Sequence, residues 1–290
     1  MFDSDSVIFT IPGILRRPLD GTDQADRVLG DPRTGGWIQN GFYDQTPVPI
    51  SLRGGNDRLR AVATADRATG LLAFGLIDTG GGHDRLIGSG ARTGVQIAET
   101  ALRTGPGRDR LTGVGDDTAI AVGILRTGSG GDWIQAFQGR TALRPQIGLS
   151  IALGQVNTGQ GADRVRAWGR RAGLTQGDGG LATAAGNDLV DVRHGGLTTD
   201  AFSPVRLGQG NDRFIGFATA GAGRAELHGG VGRDTLVLPR GTYRILGSVI
   251  EAGDASLRAI SFERLAGLEG GVLPFAAGSL VVDGGGIRWV

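Results

Sequence analysis

A five-residue pattern, Gly-x-Gly-x-Asp, returns along this chain at a nearly constant pitch, and a chain with that property folds by stacking copies of one unit. The strict pattern occurs at Gly80–Asp84, Gly105–Asp109, Gly128–Asp132, Gly159–Asp163, Gly208–Asp212 and Gly230–Asp234. Looser copies end at Asp57 (Gly54-Gly55-Asn56-Asp57) and Asp188 (Gly186-Asn187-Asp188), and a degenerate ninth ends at Asp26. From Asp57 onward the aspartates are 27, 25, 23, 31, 25, 24 and 22 residues apart. A unit of that size cannot bury an apolar face alone, so neighbouring copies must cover one another.

The residues after each aspartate repeat as well. Asp-Arg-Leu-Ile-Gly (84–88), Asp-Arg-Leu-Thr-Gly (109–113) and Asp-Arg-Phe-Ile-Gly (212–216) are examples. The second residue after the aspartate is always large and apolar: Leu59, Leu86, Leu111, Ile134, Val165, Val190, Phe214 and Leu236. Around Val190 the pattern slips, because Leu189 precedes it. Alternation of this kind marks a short strand with one buried face. Each unit holds a second apolar stretch, such as Val95–Leu102 or Ile120–Leu125, and four of these end in Thr-Gly at Thr79, Thr104, Thr127 and Thr158. Helix-length amphipathic patterns and their caps are missing. These features predict an all-β parallel β-solenoid (β-helix or β-roll) of about eight coils, roughly 40 Å long at about 4.8 Å per coil. Residues 1–50 are expected to form an N-terminal cap and first degenerate coil, 51–239 the solenoid repeats, and 240–290 a C-terminal β cap. The two long steps hold insertions, Asn40–Pro49 and Gln138–Pro145, read as surface loops.

Composition removes whole classes of function. Glycine is 55 of 290 residues, yet no Gly-X-Y period exists, so collagen is excluded. There is no cysteine and therefore no disulfide, thiol nucleophile or Cys-ligated metal. All 30 basic residues are arginine, which excludes Schiff-base and P-loop lysine chemistry. No run of 18 apolar residues is present. The first residues lack a basic n-region, so the expectation is export to the surface or medium without a cleaved signal, or else a cytoplasmic protein.

The repeated turn points to calcium. That cation takes six to eight oxygens from carboxylates and backbone carbonyls. Glycines let a turn curl so that its carbonyls point inward, and the aspartate supplies charge. One motif per coil predicts a single ion column. Its candidate ligands are Asp57, Asp84, Asp109, Asp132, Asp163, Asp188, Asp212 and Asp234. The carbonyls belong to Gly80, Gly82, Gly105, Gly107, Gly128, Gly130, Gly159, Gly161, Gly208, Gly210, Gly230 and Gly232. Arg108 and Arg233, directly before their aspartates, weigh against the sites at Asp109 and Asp234, and Asp26 is the third doubtful position. The alternative is that the aspartates only cap turns through Asx-type hydrogen bonds.

Taken together, the turn, the Asp-x-(apolar) continuation, and the end of the chain (Gly229-Gly-Val-Gly-Arg-Asp234-Thr-Leu, then Phe262-Glu263) resemble the haemolysin-type (RTX-like) calcium-binding repeat, Gly-Gly-x-Gly-x-Asp-x-(apolar)-x. The longer coil with its Thr-Gly is similar to the variant of cyanobacterial and other bacterial surface proteins. The resemblance covers about residues 50–270. It implies a calcium-loaded parallel β-roll or β-helix and no single activity. The family packs its motif on both sides of each coil; here only one side carries it.

The residue after the aspartate is arginine at Arg27, Arg58, Arg85, Arg110, Arg164 and Arg213. It neighbours the buried position, so it faces outward, and stacking aligns the row into a ladder. Like charges about 5 Å apart repel, and solvent, ion pairs or a bound anion must compensate. Such a face suits an anionic glycan or an acidic protein surface, because arginine grips carboxylate, sulfate and phosphate bidentately. The formal net charge is +1, and about five to seven calcium ions would carry it to roughly +11 to +15. Nucleic acid is not expected, since no recognition motif or stacking platform is present. Open solenoid ends also allow end-to-end or side-by-side self-association.

Other signals are weaker. His83, His194 and His228 fit no zinc spacing and read as surface turn residues. Asp116-Asp117 is a paired carboxylate with no acid placed opposite it. The four Thr-Gly threonines suggest a hydroxyl ladder like that of ice-binding solenoids, but flanking Arg103 and Arg126 break the flat surface that use requires. The leading expectation is a non-enzymatic calcium-stabilised solenoid acting as a structural or adhesive surface protein. The competing ones are an intracellular scaffold or linker docked on an acidic assembly, and a polysaccharide-active β-helix enzyme.

Overall fold

Each coil begins as its aspartate turn opens into a strand. A computed structural model describes residues 7–41, 47–137, 146–177, 179–199, 203–220 and 224–290. The insertion at 138–145 and residues 42–46 of the other insertion lie outside the described residues. The strands after the aspartates form a twelve-stranded sheet, parallel except for its last strand, Gly270–Pro274. Arg85–Ser89 shows the rule. It pairs residue for residue with Arg58–Val62 on one side and Arg110–Val114 on the other.

The chain is an all-β parallel solenoid, with about one coil more than expected. Nine coils carry the aspartate, because the degenerate segment ending at Asp26 is a full coil. Arg27–Gly30 pairs in register with Arg58–Val62. Ile8–Ile11, Gly13–Leu15 and Leu19–Asp20 add strands of a further coil, each paired in parallel with its counterpart in the next.

Alternation decides which residues go inside. The second position after the aspartate forms an unbroken inner column: Val28, Leu59, Leu86, Leu111, Ile134, Val165, Val190, Phe214, Leu236 and Leu265 are each at most 1% exposed. Burying one such side chain contributes about 1.5–3 kcal/mol, which makes this column a main stabiliser of the rod. The slip at Val190 disappears in three dimensions: Val190 pairs with Val165 and Phe214, and Leu189 occupies the outward slot between Arg164 and Arg213. Two positions further on, the inward column is small: Ala61, Gly88, Gly113, Ala136 and Ala167. A Cβ on Gly88 would lie 2.3 Å from the Gly94 carbonyl, so the opposite wall of the coil packs there without room for larger side chains.

That wall is a second parallel sheet with a crease. Thr93–Arg103 pairs with Thr69–Ala73 in its first half and with Ile77–Asp78 at its end. Between them, its register with Thr118–Arg126 shifts. Toward the C-terminus the parallel order continues through Ala255–Ile260 and Arg264–Gly267, stacked on Arg224–Gly232 and Thr235–Leu238. Antiparallel strands then take over. Gly241–Leu246 pairs with Val249–Ala252 and Gly278–Asp283, and Gly286–Trp289 completes the set. Tyr243 from this region is buried edge-on against Phe217, with ring centroids 5.2 Å apart. A change from parallel to antiparallel pairing ends the repeat and covers a growing edge.

Close stacking selects the second glycine in the eight turns from Gly55 to Gly232. A Cβ on Gly107 would sit 1.5 Å from the Gly82 carbonyl oxygen, and φ there is +151°. Neither partner is a movable side chain. Gly107→Ala should therefore cost several kcal/mol and broaden or abolish cooperative melting. Gly247→Ala, at φ +60° with nothing within 4 Å, should cost only about 1–2 kcal/mol. Thermal melts of the two variants followed by circular dichroism compare them directly; equal losses would show that steric stacking is not what selects glycine.

Candidate metal site: a buried aspartate column

The turn places its aspartate through two unusual backbone positions. The first glycine position is left-handed, as at Gly80 (φ +84°), Gly105 (+82°) and Gly128 (+98°). In the two looser coils that include non-glycine residues here, Arg53 (+66°) and Ala184 (+69°) take the same conformation. These coils therefore keep the turn without its first glycine, at a strain cost of about 1–2 kcal/mol each. The second glycine position lies near φ +105° to +151° from Gly55 to Gly232, which only glycine adopts freely.

The carbonyls of these turns do not curl inward as the sequence suggested. They run along the rod and join coils. The Gly128 and Gly159 carbonyls accept from the N–H groups of Gln160 and Ala185 in the next coil, both at 3.1 Å. The N–H groups of Gly82, Gly107 and Gly130 donate to the carbonyls of Pro106, Ser129 and Gln160 at 2.9, 2.7 and 2.6 Å. Second-glycine carbonyls abut the Cα of the next glycine in their column. The physical reason is the parallel stack itself, which aligns the backbone groups along the rod and aims them at the neighbouring coil.

The aspartates turn inward and form a ladder. The Asp26 N–H donates to Asp57 Oδ1 at 2.7 Å, Asp57 to Asp84, Asp84 to Asp109, Asp109 to Asp132, Asp132 to Asp163, Asp163 to Asp188, Asp188 to Asp212, and Asp212 to Asp234, all at 2.8 Å. Asp234 donates in turn to Glu263 Oε2 at 2.7 Å. Every one of these aspartates is at most 3% exposed. The order is uniform. Asp109 and Asp234, suspect in sequence because an arginine precedes them, occupy their rungs like the others, and Arg108 and Arg233 are exposed.

Asp26 is the position that differs. Its Oδ2 accepts from the Thr22 N–H at 2.7 Å and its Oδ1 from the Thr22 hydroxyl at 3.1 Å. In that coil the aspartate is a turn cap, as the Asx alternative holds.

Five residues before the aspartate runs a second column. It reads Thr79, Thr104, Thr127, Thr158 and Thr183, all at most 2% exposed. Each hydroxyl reaches the next coil: Thr104 donates to the Thr127 carbonyl (3.0 Å), Thr127 to Thr158 (3.0 Å), Thr158 to Thr183 (3.3 Å) and Thr183 to Leu207 (2.6 Å). Burial removes any role for this ladder at an outer surface. Thr79 is the exception, its proton going to its own Asp84 Oδ2. A hydroxyl has one proton; Thr104, Thr127, Thr158 and Thr183 stand close enough to their aspartates to oppose the rise of those carboxyls, but their hydrogen bonds run to the carbonyls of the next coil. The Oδ2 atoms of Asp57, Asp109, Asp132, Asp163, Asp188, Asp212 and Asp234 are buried and have no hydrogen-bond partner.

Such a row is electrostatically unstable as anions. Burial, the largest cause, together with the neighbouring carboxylates pushes Asp57, Asp109, Asp163 and Asp212 up to about 7. Burial raises Asp188 to about 6 and raises Asp84, Asp132 and Asp234. Neutralisation requires either a proton or a cation on Oδ2. The oxygens present, carboxylate and threonine hydroxyl, fit a hard cation in kind. They come singly: among the described residues no three His, Asp or Glu side chains converge. Of the glycine carbonyls expected as ligands, those of Gly128 and Gly159 accept hydrogen bonds between coils.

The arginine row stands on the outer face of the same strands, in register from Arg27 through Arg58, Arg85 and Arg110 to Trp133 and Arg164. Among the described residues, none of Arg27, Arg58, Arg85, Arg110, Arg164 and Arg213 forms an ion pair with an acid. Of the histidines, His83 is exposed and accepts the Arg108 N–H on its Nδ1 at 2.8 Å, linking coils. Asp116 and Asp117 lie at the far end of strand Arg110–Val114, away from the column. Two members of the site were not apparent in sequence. Thr183 lacks the following glycine, and Glu263 replaces aspartate. The fragment Glu263-Arg264-Leu265, a copy of Asp-Arg-Leu, was the available signal.

The raised carboxylates give a pH dependence with a definite sign. Between the unfolded value near 4 and the folded values near 6–7, the folded chain holds protons that the unfolded chain has lost. Stability is then greatest at the acid end and falls as pH rises through about 7, by at most about 1.4 kcal/mol per unit per group. In metal-free buffer, the melting temperature should drop from pH 5 to pH 8. Asp109→Asn and Asp163→Asn keep the Oδ1 acceptor and should raise the pH 8 value while leaving pH 5 nearly unchanged. A flat profile in metal-free buffer would contradict this account.

No family model matches the sequence. No curated protein matches it either. Among solved structures, the chain is similar to a crystal structure described as a hyperactive, Ca2+-dependent, β-helical antifreeze protein from an Antarctic bacterium. The identity is 18%, over 81% of this chain and 71% of that one, with a TM-score of 0.33.

Proposed function

We propose that this chain is a non-enzymatic, calcium-binding β-solenoid that serves as a rigid structural or adhesive element outside the cell. The observation that carries the reading is the row of seven buried carboxylate oxygens with no partner. A buried anion is strongly destabilising unless it is protonated or neutralised by a bound charge. Calcium, when bound, supplies that charge and accepts hard oxygen donors. The residues that would hold it are Asp57, Asp109, Asp132, Asp163, Asp188, Asp212 and Asp234. Thr104, Thr127, Thr158 and Thr183 stand in the column beside the middle four.

This places the aspartates in a stabilising role rather than a chemical one. Loaded, the column would lock each coil to its neighbours; unloaded and above neutral pH, it would push them apart. A rod of this kind is firm only where calcium is plentiful, as outside cells, which supports the structural or adhesive setting. Among the described residues, no helix is long and apolar enough to cross a membrane.

The test uses the full chain, stripped of metal and titrated with calcium at pH 7.5. Its melting temperature should climb with calcium, return on adding excess chelator, and respond far less to magnesium. Calorimetry should count several ions per chain, and fewer in the combined variant Asp109→Asn, Asp132→Asn, Asp163→Asn. Identical melting in saturating calcium and in chelator would remove calcium from the reading and leave protonation as the means of neutralising the column.

A further inference from the structure

The outward arginine column is interrupted at Trp133, Leu189 and Thr235, and the first of these interruptions makes a cleft. Trp133 replaces arginine between Arg110 and Arg164 in the ladder. Three guanidinium groups gather about its ring: Arg110 at 4.6 Å from the centroid, Arg166 at 5.7 Å and Arg164 at 6.0 Å. Arg110 is held there by Gln135 Oε1, which accepts from its Nε at 2.9 Å and from a second nitrogen. Cation–π contact of this kind fixes orientation and leaves the remaining guanidinium N–H groups for a ligand.

Beside the tryptophan lies a cavity of about 370 Å³ lined by Arg108, Gly131, Asp132, Trp133, Ala162 and Arg164. Its origin is legible in the sequence. The residue before each aspartate is Asn56, His83, Arg108, Asn187, Asn211 or Arg233 in most coils, but Gly131 and Ala162 in these two successive ones. Two small residues side by side leave a notch where other coils carry long polar side chains. Two polar groups on this face lack hydrogen-bond partners while buried: the Trp133 indole N–H and the Arg166 Nε, which approaches Asp191 only at 3.9 Å. Arg108 and Arg164 at the rim are exposed and without an acidic partner among the described residues.

We infer that this notch is a subsite for one acidic sugar of a linear anionic polysaccharide, the rest of which runs along the arginine column. The part of the indole that lines the notch offers apolar contact to the C–H side of a pyranose ring. The arginines offer bidentate donors to a uronate carboxylate or a sulfate. From Arg27 to Arg110 the column offers one arginine per coil, about 4.8 Å apart, close to the advance of one sugar ring per coil. A DNA strand spaces its phosphates at about 3.4 Å along a turning helix and does not keep that register. Single-stranded nucleic acid stacks successive bases on successive aromatics, and the column has one tryptophan flanked by arginines. An extended acidic peptide advances about 3.3 Å per residue, also out of step. The inference rests on the adhesive reading for the ligand's place outside the cell, and not on the calcium column.

Binding of polygalacturonate and of dextran sulfate to the full chain decides it, measured by biolayer interferometry with and without calcium. Neutral dextran, poly-glutamate and single-stranded DNA serve as comparisons. Wild type should bind an acidic polysaccharide in a salt-sensitive way and neutral dextran not at all. Ala162→Gln fills the notch from an exposed site without changing charge; it should weaken binding at least tenfold with an unchanged melting temperature. Trp133→Ala and Arg164→Gln should weaken it as well. The inference is overturned if wild type binds no acidic polysaccharide, if Ala162→Gln binds as wild type does, or if DNA or poly-glutamate at equal charge binds more tightly. A chain that shows the tenfold loss but is found only inside cells would leave the site standing and remove the adhesive reading instead.

Discussion

Stacking identical coils at about 4.8 Å makes every side chain the neighbour of its own copy, and the rest of this molecule depends on that constraint. For an apolar residue the arrangement is favourable without qualification, since Leu59, Leu86 and Leu111 bury one another. For a backbone it is favourable if no Cβ intrudes, which is why the second turn glycine is repeated in eight successive coils from Gly55 to Gly232. For a charged residue it is a problem that grows with each coil, because a repeat cannot alternate sign unless its sequence does. Here it does not. A carboxylate is repeated inside and a guanidinium outside.

The two columns resolve the same repulsion differently because one is dry and one is wet. Outside, solvent screens the arginines, and a cation about 5 Å from its neighbour is tolerable. Inside, the carboxylates receive one backbone N–H on Oδ1, which satisfies half of each group and leaves Oδ2 in most coils. The hydroxyl that stands nearest is drawn away to a carbonyl in four coils. The structure therefore contains hydrogen bonds enough to fix the position of each aspartate and too few to stabilise its charge. A proton or a bound cation would neutralise it, and the expected pH dependence and the proposed calcium dependence of stability are two views of one deficit.

Much of this was written in the sequence, and what was hidden was hidden for identifiable reasons. The period gave the solenoid, the Asp+2 residues gave the core, and the Asp+1 residues gave the outer row. The coil at Asp26 reads as degenerate because both turn glycines are replaced, by Thr22 and Gln24; yet strand pairing depends on Arg27–Gly30, which is intact. Leu189-Val190 looked like a slip because alternation was read along the chain, whereas register is set across it. The direction of the turn carbonyls was not legible at all. A glycine permits both an inward curl and an axial run, and only the coil above decides between them. Thr183 was missed because the motif was defined by the glycine after the threonine; the hydroxyl, which does the bonding, needs only its place in the column.

Repeated residues and exceptional ones report on different things. A repeated residue in a solenoid answers to its copies above and below, so it reports on stability. A residue that breaks its column has lost those copies and must be accounted for by something else. Leu189, in the outward slot, is accounted for by packing: it lies on the small apolar cluster of Ile215, Val237 and Ala266. Trp133 is different: it is large, it gathers three arginines, and its neighbours Gly131 and Ala162 are small where six other coils carry Asn56, His83, Arg108, Asn187, Asn211 and Arg233. Three departures from the repeat, in two adjacent coils and on one side of the rod, meet at one surface point. The proposed ligand, seated in the notch beside the indole, would account for all three together.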